Sequence, residues 1–169
     1  MSRHHPFEPY VEVARTWLDQ LSTSLDLPPS EQPRALHALR AGLHAIRDRL
    51  PAAEAVDLGA QLPTLIRGVY YEGWTLRNDP GLIRDRAAMI ARVKRELAPD
   101  PRLAPTDALR AVIQLLVEHV SPGEIQDVLA TLPRSIATLW HELSTPPAEH
   151  RAPTASRGQG ITRRTGYSR

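Results

Sequence analysis

The chain has 169 residues, no cysteine, and 21 Lys and Arg against 19 Asp and Glu, a formal net charge of +2. This length suffices for one domain that buries a single core without disulfides or a structural metal. The absence of cysteine excludes thiol catalysis, iron–sulfur clusters and thiolate zinc sites. The N-terminus lacks the apolar middle of a signal peptide, and no run approaches the roughly 18–20 apolar residues of a membrane span. We therefore expect a soluble, cytoplasmic protein that does not enter a membrane.

Apolar residues recur at helical spacing in the first half of the chain. A first stripe, from about residue 9 to 25, comprises Tyr10, Ala14, Trp17, Leu18, Leu21 and Leu25. A second comprises Leu36, Leu39, Leu43, Ile46 and Leu50. Pro51 suits the first turn of a third helix, and Leu62-Pro63 must interrupt that helix because proline lacks an N–H. A fourth helix, from Pro63 to about Glu72, is predicted to end at Gly73.

The second half repeats this order of elements with different connectors. One predicted helix is marked by Leu82, Arg86, Ile90, Val93 and Leu97, and the next by Leu109, Val112, Leu116 and Val120. Ser121 and Glu124 flank Pro122-Gly123 as a capping box, which predicts a helix start. Helices should follow over about 122–131 and 133–143. Alternation of period two is absent, so we predict an all-α fold.

The two halves are similar to each other without a gap. A shift of 70 places Ala38-Leu39-Arg40-Ala41 on the identical residues 108–111, and Leu62-Pro63 on Leu132-Pro133. The same shift matches Glu54 with Glu124 and Asp57 with Asp127. Such self-similarity is typical of a duplicated unit whose copies bury their apolar faces together. We predict two repeats of about four helices, packed as one bundle.

The predicted domain boundaries follow from this repeat and from composition. Residues 1–8 are expected to form a flexible N-terminus, and residues 9–146 a single domain with repeats at about 9–76 and 77–146. The segment 147–169 has five arginines opposed only by Glu149, with glycine and proline but few apolar residues. Because such a composition cannot bury a core, we predict a disordered, Arg-rich tail.

The residues that carry the repeat also carry a family resemblance. The strings Arg47-Asp48-Arg49-Leu50-Pro51 and Arg67-Gly68-Val69-Tyr70-Tyr71-Glu72-Gly73-Trp74 resemble the core motif of the bacterial domain of unknown function 2267 family. The resemblance extends from about Tyr10 to Leu143, and the second copy is similar to the C-terminal half of that family. It implies a compact helical domain with no established activity, no agreed cofactor and no catalytic residues to transfer.

No catalytic motif is present. The chain has no GxSxG, HExxH, Gly-rich phosphate loop or dinucleotide fingerprint, so we expect neither an enzyme nor a cofactor. The two carboxylate pairs, Glu54 with Asp57 and Glu124 with Asp127, could hold Ca²⁺ or Mg²⁺ if the two helices met. A structural role is favoured, because both glutamates stand in a first helical turn and the aspartates could pair with Arg40 and Arg110. His37 and His44 could share a helix face, but no third ligand is near in sequence.

A site specific to this protein can differ between the two copies. Arg47, Arg49, Arg67, Tyr71 and Trp74 occur in the first copy only, and Arg beside Tyr and Trp is a mixture typical of interfaces. They are the candidate interaction surface. The interpretation that we favour over it is structural: Tyr70 and Trp74 fill a seam between the repeats, with Arg47 and Arg67 pairing Asp48 or Glu72.

Three functions remain open. The leading one is a non-catalytic helical interaction or scaffold module that binds a protein partner or itself. The first alternative is a nucleic-acid-binding accessory protein that uses the basic tail. The second is a protein that binds a small ligand or metal between the repeats.

Overall fold

A computed structural model describes residues 5–98, 100 and 102–145. The described residues form eight α-helices and no strand, which confirms the predicted fold class. The helices are α1 (Glu8–Ser24), α2 (Gln32–Arg49), α3 (Ala52–Gln61), α4 (Thr64–Tyr71), α5 (Arg86–Leu97), α6 (Pro105–His119), α7 (Pro122–Thr131) and α8 (Arg134–Ser144). Short 3₁₀ helices at Pro29–Glu31 and Pro80–Leu82 precede α2 and α5.

The helix breaks lie where proline and glycine predict them. Leu62 and Pro63 separate α3 from α4, because proline disfavours helical geometry in the residue before it and donates no hydrogen bond. Gly73 follows α4 with φ +67°, a left-handed conformation that glycine adopts without strain. Pro51 lies immediately before α3 as its N-cap, one position earlier than the first-turn role predicted for it.

The capping box predicted at the start of α7 is only half formed. The hydroxyl of Ser121 accepts a hydrogen bond of 3.3 Å from the N–H of Glu124, as the motif requires. Oε1 of Glu124, however, is buried, and none of the described residues donates a hydrogen bond to it. The prediction that the capping box accounts for Glu124 was therefore wrong for its carboxyl group, which lies beside Glu54 of α3.

Helix α2 lies at the centre of the fold and packs against α1, α4, α5 and α6. Small and aliphatic residues bury one long face of it, including Ala35, Ala38, Leu39, Leu43 and Ile46. Each large aliphatic side chain removed from water stabilises the fold by about 1.5–3 kcal/mol. Gly42 permits the close crossing of α6, since a Cβ there would lie 2.6 Å from Cγ2 of Val112.

The outer helices pack around this centre. Helix α4 packs against α1, α2 and α3, and α8 packs against α5 and α6. Helices α3 and α7 contact each other. The ends of matching helices are separated by 70 residues. Helix α2 ends at Arg49 and α6 at His119, and α3 ends at Gln61 and α7 at Thr131.

Two predicted helix faces differ from the structure. Leu82, predicted to lie in the helix that became α5, instead ends the preceding 3₁₀ turn and is 75 % exposed. Tyr10 was assigned to the apolar face of α1, but its side chain is 46 % exposed, whereas Trp17 and Leu21 are buried. In both cases the helical spacing of the sequence did not determine whether the side chain is buried.

Some predictions fall beyond the described residues. The tail, 147–169, and residues 1–4 lie outside them, so the predicted flexibility of these segments stays a prediction. Helix α1 begins at Glu8, the last residue of the N-terminal segment predicted to be flexible. None of the helices described is both long enough and apolar enough to span a membrane.

Candidate functional site

Arg47 belongs to the interior, so its assignment to an interaction surface was wrong. Only 2 % of it is exposed. Its guanidinium donates to the carbonyl oxygens of Tyr70 and, at 2.9 Å, Glu72, and pairs with the Asp48 carboxylate at 2.7 Å. Arg47 therefore satisfies carbonyl groups that α4 leaves unbonded at its C-terminal end and joins that end to α2.

Arg67 and Tyr71 extend from α4 to α3. The exposed Arg67 donates from Nη2 to the carbonyl oxygens of Ala60 and Leu62, at 3.0 and 2.9 Å, and so caps the C-terminal end of α3. The Tyr71 ring lies over Gly59, where a Cβ would stand 2.2 Å from the phenolic oxygen. Both side chains are engaged in contacts within the first unit.

Trp74 and Arg49 are the remaining members of the predicted surface. Trp74 is half-buried, and its ring centroid lies 5.7 Å from that of Tyr71. Arg49 is half-buried, its Nε has no hydrogen-bond partner among the described residues, and desolvation lowers the pKa of its guanidinium. Of the five residues, Tyr71 and Trp74 lie against each other, and the role of the set in binding stays a prediction.

The carboxylate of Asp48, at the end of α2, is the centre of a polar network. Oδ1 accepts from Nε of Arg47 at 2.8 Å and from the amide of Asn78 at 3.2 Å. Oδ2 pairs with Nη2 of Arg92 on α5 at 3.0 Å. One carboxylate therefore connects α2, α5 and the segment between α4 and α5.

Glu96 continues this network along α5. Its carboxylate pairs with Arg92 at 2.7 Å and with Nδ1 of His44 at 2.9 Å, while Nε2 of His44 lies 2.8 Å from the carbonyl oxygen of Val69. Burial opposes the charge of Glu96, but hydrogen bonds from His44 and Arg92 outweigh it and lower its pKa to about 2. His44 and His37 thus serve α2–α5 packing, since Nε2 of His37 lies 2.7 Å from the carbonyl oxygen of Glu96.

A cleft of about 610 Å³ opens beside this network. Its walls come from the end of α2, from the segment 77–83 and from α5, so it lies where the two predicted repeats join. Asp48 and Arg92 lie on its polar side, and Leu82, Ile83, Ala88 and Ala91 provide apolar surface. Volumes of about 300–1,000 Å³ with mixed walls are typical of small-molecule sites.

Two cations in this cleft have no acidic partner. Arg77 and Arg95 both line it and are exposed, and neither pairs with a carboxylate among the described residues. Asp79, also in the wall, uses Oδ1 to accept the N–H of Gly81 at 2.8 Å. The sequence leaves open a ligand site between the repeats but does not indicate which residues line it, because Leu82 is predicted to lie in a helix and no motif marks Arg77 or Arg95.

The four predicted carboxylates do not assemble into a metal site. Glu54 and Glu124 lie close enough for each to affect the pKa of the other, and the exposed Asp57 and Asp127 also lie near enough to raise the pKa of both glutamates. Arg40 pairs with Glu72 at 2.6 Å and not with Asp57. The part of the chain that the structure describes holds no group of three or more His, Asp or Glu side chains arranged to bind a metal.

The matched length of sequence decides the family. The model of the family described as uncharacterized conserved protein (DUF2267) matches residues 14–139, which contain α2–α7 and every residue of the cleft. The chain belongs to the DUF2267 family. This confirms the resemblance found in the sequence, and the family description names no activity, ligand or partner. No curated protein matches this DUF2267 chain.

Proposed function

We propose that this DUF2267 protein is a non-catalytic helical binding module, located in the cytoplasm, whose ligand binds in the cleft between α2, α5 and the segment 77–83. The proposal combines two of the functions left open by the sequence, an interaction module and a ligand site between repeats. It treats the domain as a duplicated unit, in support of which the C-terminal ends of α2 and α6, and of α3 and α7, differ by 70 residues.

The observation that carries the proposal is the cleft with its unpaired arginines. Arg92 forms ion pairs with Asp48 and Glu96, and these contacts hold the polar wall of the cleft in place without a ligand. Arg77 and Arg95 have no such commitment among the described residues. A rigid wall beside uncommitted charges is the arrangement expected of a preformed site.

A protein partner is the second candidate. Leu76 and Leu82 are 78 % and 75 % exposed; Leu82 lines the cleft, and Leu76 directly precedes the segment 77–83. Exposed aliphatic residues beside arginine are typical of contact surfaces between proteins. The third candidate, nucleic-acid binding through 147–169, rests on residues outside the described part of the chain and stays a prediction.

The test compares two tryptophan variants of α5. Ala91 lines the cleft and Ala87 does not, and both are exposed alanines in the same helix. Ala91→Trp fills the cleft, while Ala87→Trp changes helix propensity and surface apolarity equally. The unmodified protein and both variants are purified from the native host at low salt, then analysed by native mass spectrometry and by identification of co-eluting proteins.

We expect a bound small molecule that is retained by Ala87→Trp and lost from Ala91→Trp. Co-elution of the same molecule with both variants would contradict the cleft as the site. So would the absence of any bound molecule from both variants and from the unmodified protein. Retention of a nucleic acid that is released by salt and by removal of 147–169 would favour the third candidate instead.

A further inference from the structure

Some charged side chains of the cleft pair with one another, and others have no oppositely charged partner among the described residues. Asp48 accepts hydrogen bonds from three donors, and Arg92 is shared between Asp48 and Glu96. These side chains satisfy one another. Arg77 and Arg95 remain as cations without a carboxylate among the described residues, opposed within the cleft only by Asp79. Electrostatic attraction to these two arginines therefore favours binding of an anion over binding of a cation.

The apolar part of the cleft lies on the side of the 3₁₀ turn and the first half of α5. Leu82 leaves three quarters of its surface exposed, and Ala88 and Ala91 provide small side chains that leave room above the helix. Ile83 is buried and forms a fixed part of the wall. A ligand that is only an anion would leave this apolar surface in contact with water.

We propose that the cleft binds an amphiphilic anion, a carboxylate or phosphate monoester attached to a short apolar chain. The anionic group lies between Arg77 and Arg95, and the chain lies against Leu82, Ala88 and Ala91. This inference rests on the proposed function, since it names the ligand class of the same cleft. Guanidinium groups recognise both carboxylate and phosphate through paired N–H donors.

Three soluble probes of equal chain length test the class: octyl phosphate, octanoate and octanol. Binding is measured by titration calorimetry and by amide chemical-shift changes in residues 77–95. We expect both anions to bind at least tenfold more tightly than octanol. Arg77→Gln and Arg95→Gln should each weaken the anions about tenfold, the loss of one charge-assisted contact. The matched control is Arg84→Gln, because Arg84 is an exposed arginine of the same connecting segment outside the cleft.

The outcomes separate the ligand class from the site itself. Equal binding of octanol and the anions, blocked by Ala91→Trp and unaffected by either arginine variant, would overturn the anionic class and leave the cleft as the site. An equal loss in Arg84→Gln would overturn it too, because it indicates general attraction to positive charge. Sedimentation with phosphatidylglycerol vesicles, without binding of the soluble anions, would overturn it in favour of a membrane surface.

Discussion

Glu54 and Glu124 meet between α3 and α7, and no donor among the described residues hydrogen-bonds to the buried Oε1 atom of either one. Burial is the main cause that raises the pKa of each carboxyl group, and nearby acidic charges on both helices add to it. A hydrogen bond between the two carboxyl groups further raises the pKa of Glu124 and partly offsets the rise for Glu54. The neighbouring charged groups are Asp57 and Asp127, both acidic. Two carboxyls in this position are best accommodated when they share a proton.

The pair therefore predicts a loss of stability with rising pH. A carboxyl whose pKa is raised in the folded state stabilises the fold below its unfolded pKa, and this contribution is lost as pH rises through the folded pKa. Glu54→Gln is neutral at all pH values and can donate to Glu124. We expect the variant to increase the free energy of unfolding at pH 8 by about 0.5–1 kcal/mol, a small value because partial exposure screens the charges.

Urea denaturation of the two proteins at pH 5 and pH 8 checks this prediction. The difference in unfolding free energy should shrink towards pH 5. Asp107→Asn is the control, since Asp107 is an exposed acid in the first turn of α6. A Glu54→Gln protein less stable than the unmodified chain at pH 8 would show that the carboxylates are not in conflict.

Glu96 predicts the opposite dependence at acidic pH. Its pKa is lowered from 4.5 to about 2, so the stability it contributes is present above 4.5 and is lost as pH falls from there towards 2. Glu96→Gln should lower the free energy of unfolding at pH 7 by about 2 kcal/mol, because His44 and Arg92 lose their charged partner.

The variant should also be less sensitive to acid than the unmodified protein. Thermal unfolding between pH 2.5 and 7 measures both effects. Glu142→Gln is the control, because its pair with Arg86 is about half exposed and should contribute less than about 1 kcal/mol. Equal effects of the two substitutions would contradict a special role for the His44–Glu96 contact.

The contact between Gly59 and Tyr71 predicts that Gly59→Ala destabilises the unmodified protein but stabilises a Tyr71→Ala variant. Gly59→Ala alone should destabilise the protein by about 1 kcal/mol, because the new Cβ would displace the Tyr71 ring. In a Tyr71→Ala background the same substitution should stabilise it by about 0.5–1 kcal/mol, the helix preference of alanine over glycine. A double-mutant cycle of unfolding free energies measures the difference.

Gly68→Ala is the matched control for this cycle. Gly68 lies in α4, and a Cβ there meets nothing within 4 Å. It should stabilise the protein in both backgrounds by about 0.5–1 kcal/mol. If Gly59→Ala behaved like Gly68→Ala in the unmodified protein, the Tyr71 ring would move aside freely.

Arg67→Ala separates capping from binding. Loss of the bonds to Ala60 and Leu62 should lower the free energy of unfolding by about 1 kcal/mol and speed amide hydrogen exchange across the α3–α4 junction. Trp74→Ala should leave exchange at this junction unchanged. An Arg67→Ala protein with unaltered exchange but with a lost partner would instead support the candidate interaction surface.

The sequence predicted the helices well because their ends carry local signals. Pro63, Gly73 and Ser121 act within a few residues of the breaks they cause, so spacing alone locates them. The meeting of Glu54 and Glu124 was also foreseeable, since they are separated by the same 70 positions that relate the matching strings of the sequence. The predicted pairing of Asp57 with Arg40 was wrong, because the Arg40 side chain reaches Glu72 instead.

The cleft and the position of Arg47 depend on contacts between distant segments. A charged residue on a helix flank is normally exposed, and Arg47 is buried because the carbonyl oxygens at the C-terminal end of α4 and the Asp48 carboxylate all accept from its guanidinium. The cleft arises from α5 and a connector whose path no periodicity predicts. Arg77 and Arg95 are eighteen positions apart by residue number, and no motif relates them.

At the crossing of α2 and α6 a glycine lies against a valine. Gly42 and Val112 differ by 70 in number and touch each other, so the contact joins corresponding positions. In a symmetric dimer of separate subunits, the same residue would lie on both sides of this contact: two valines would clash, and two glycines would leave a cavity. A single covalent chain can place a large side chain on one helix and a glycine on the other. With glycine in one half and valine in the other, neither half can form the same contact by associating with a second copy of itself.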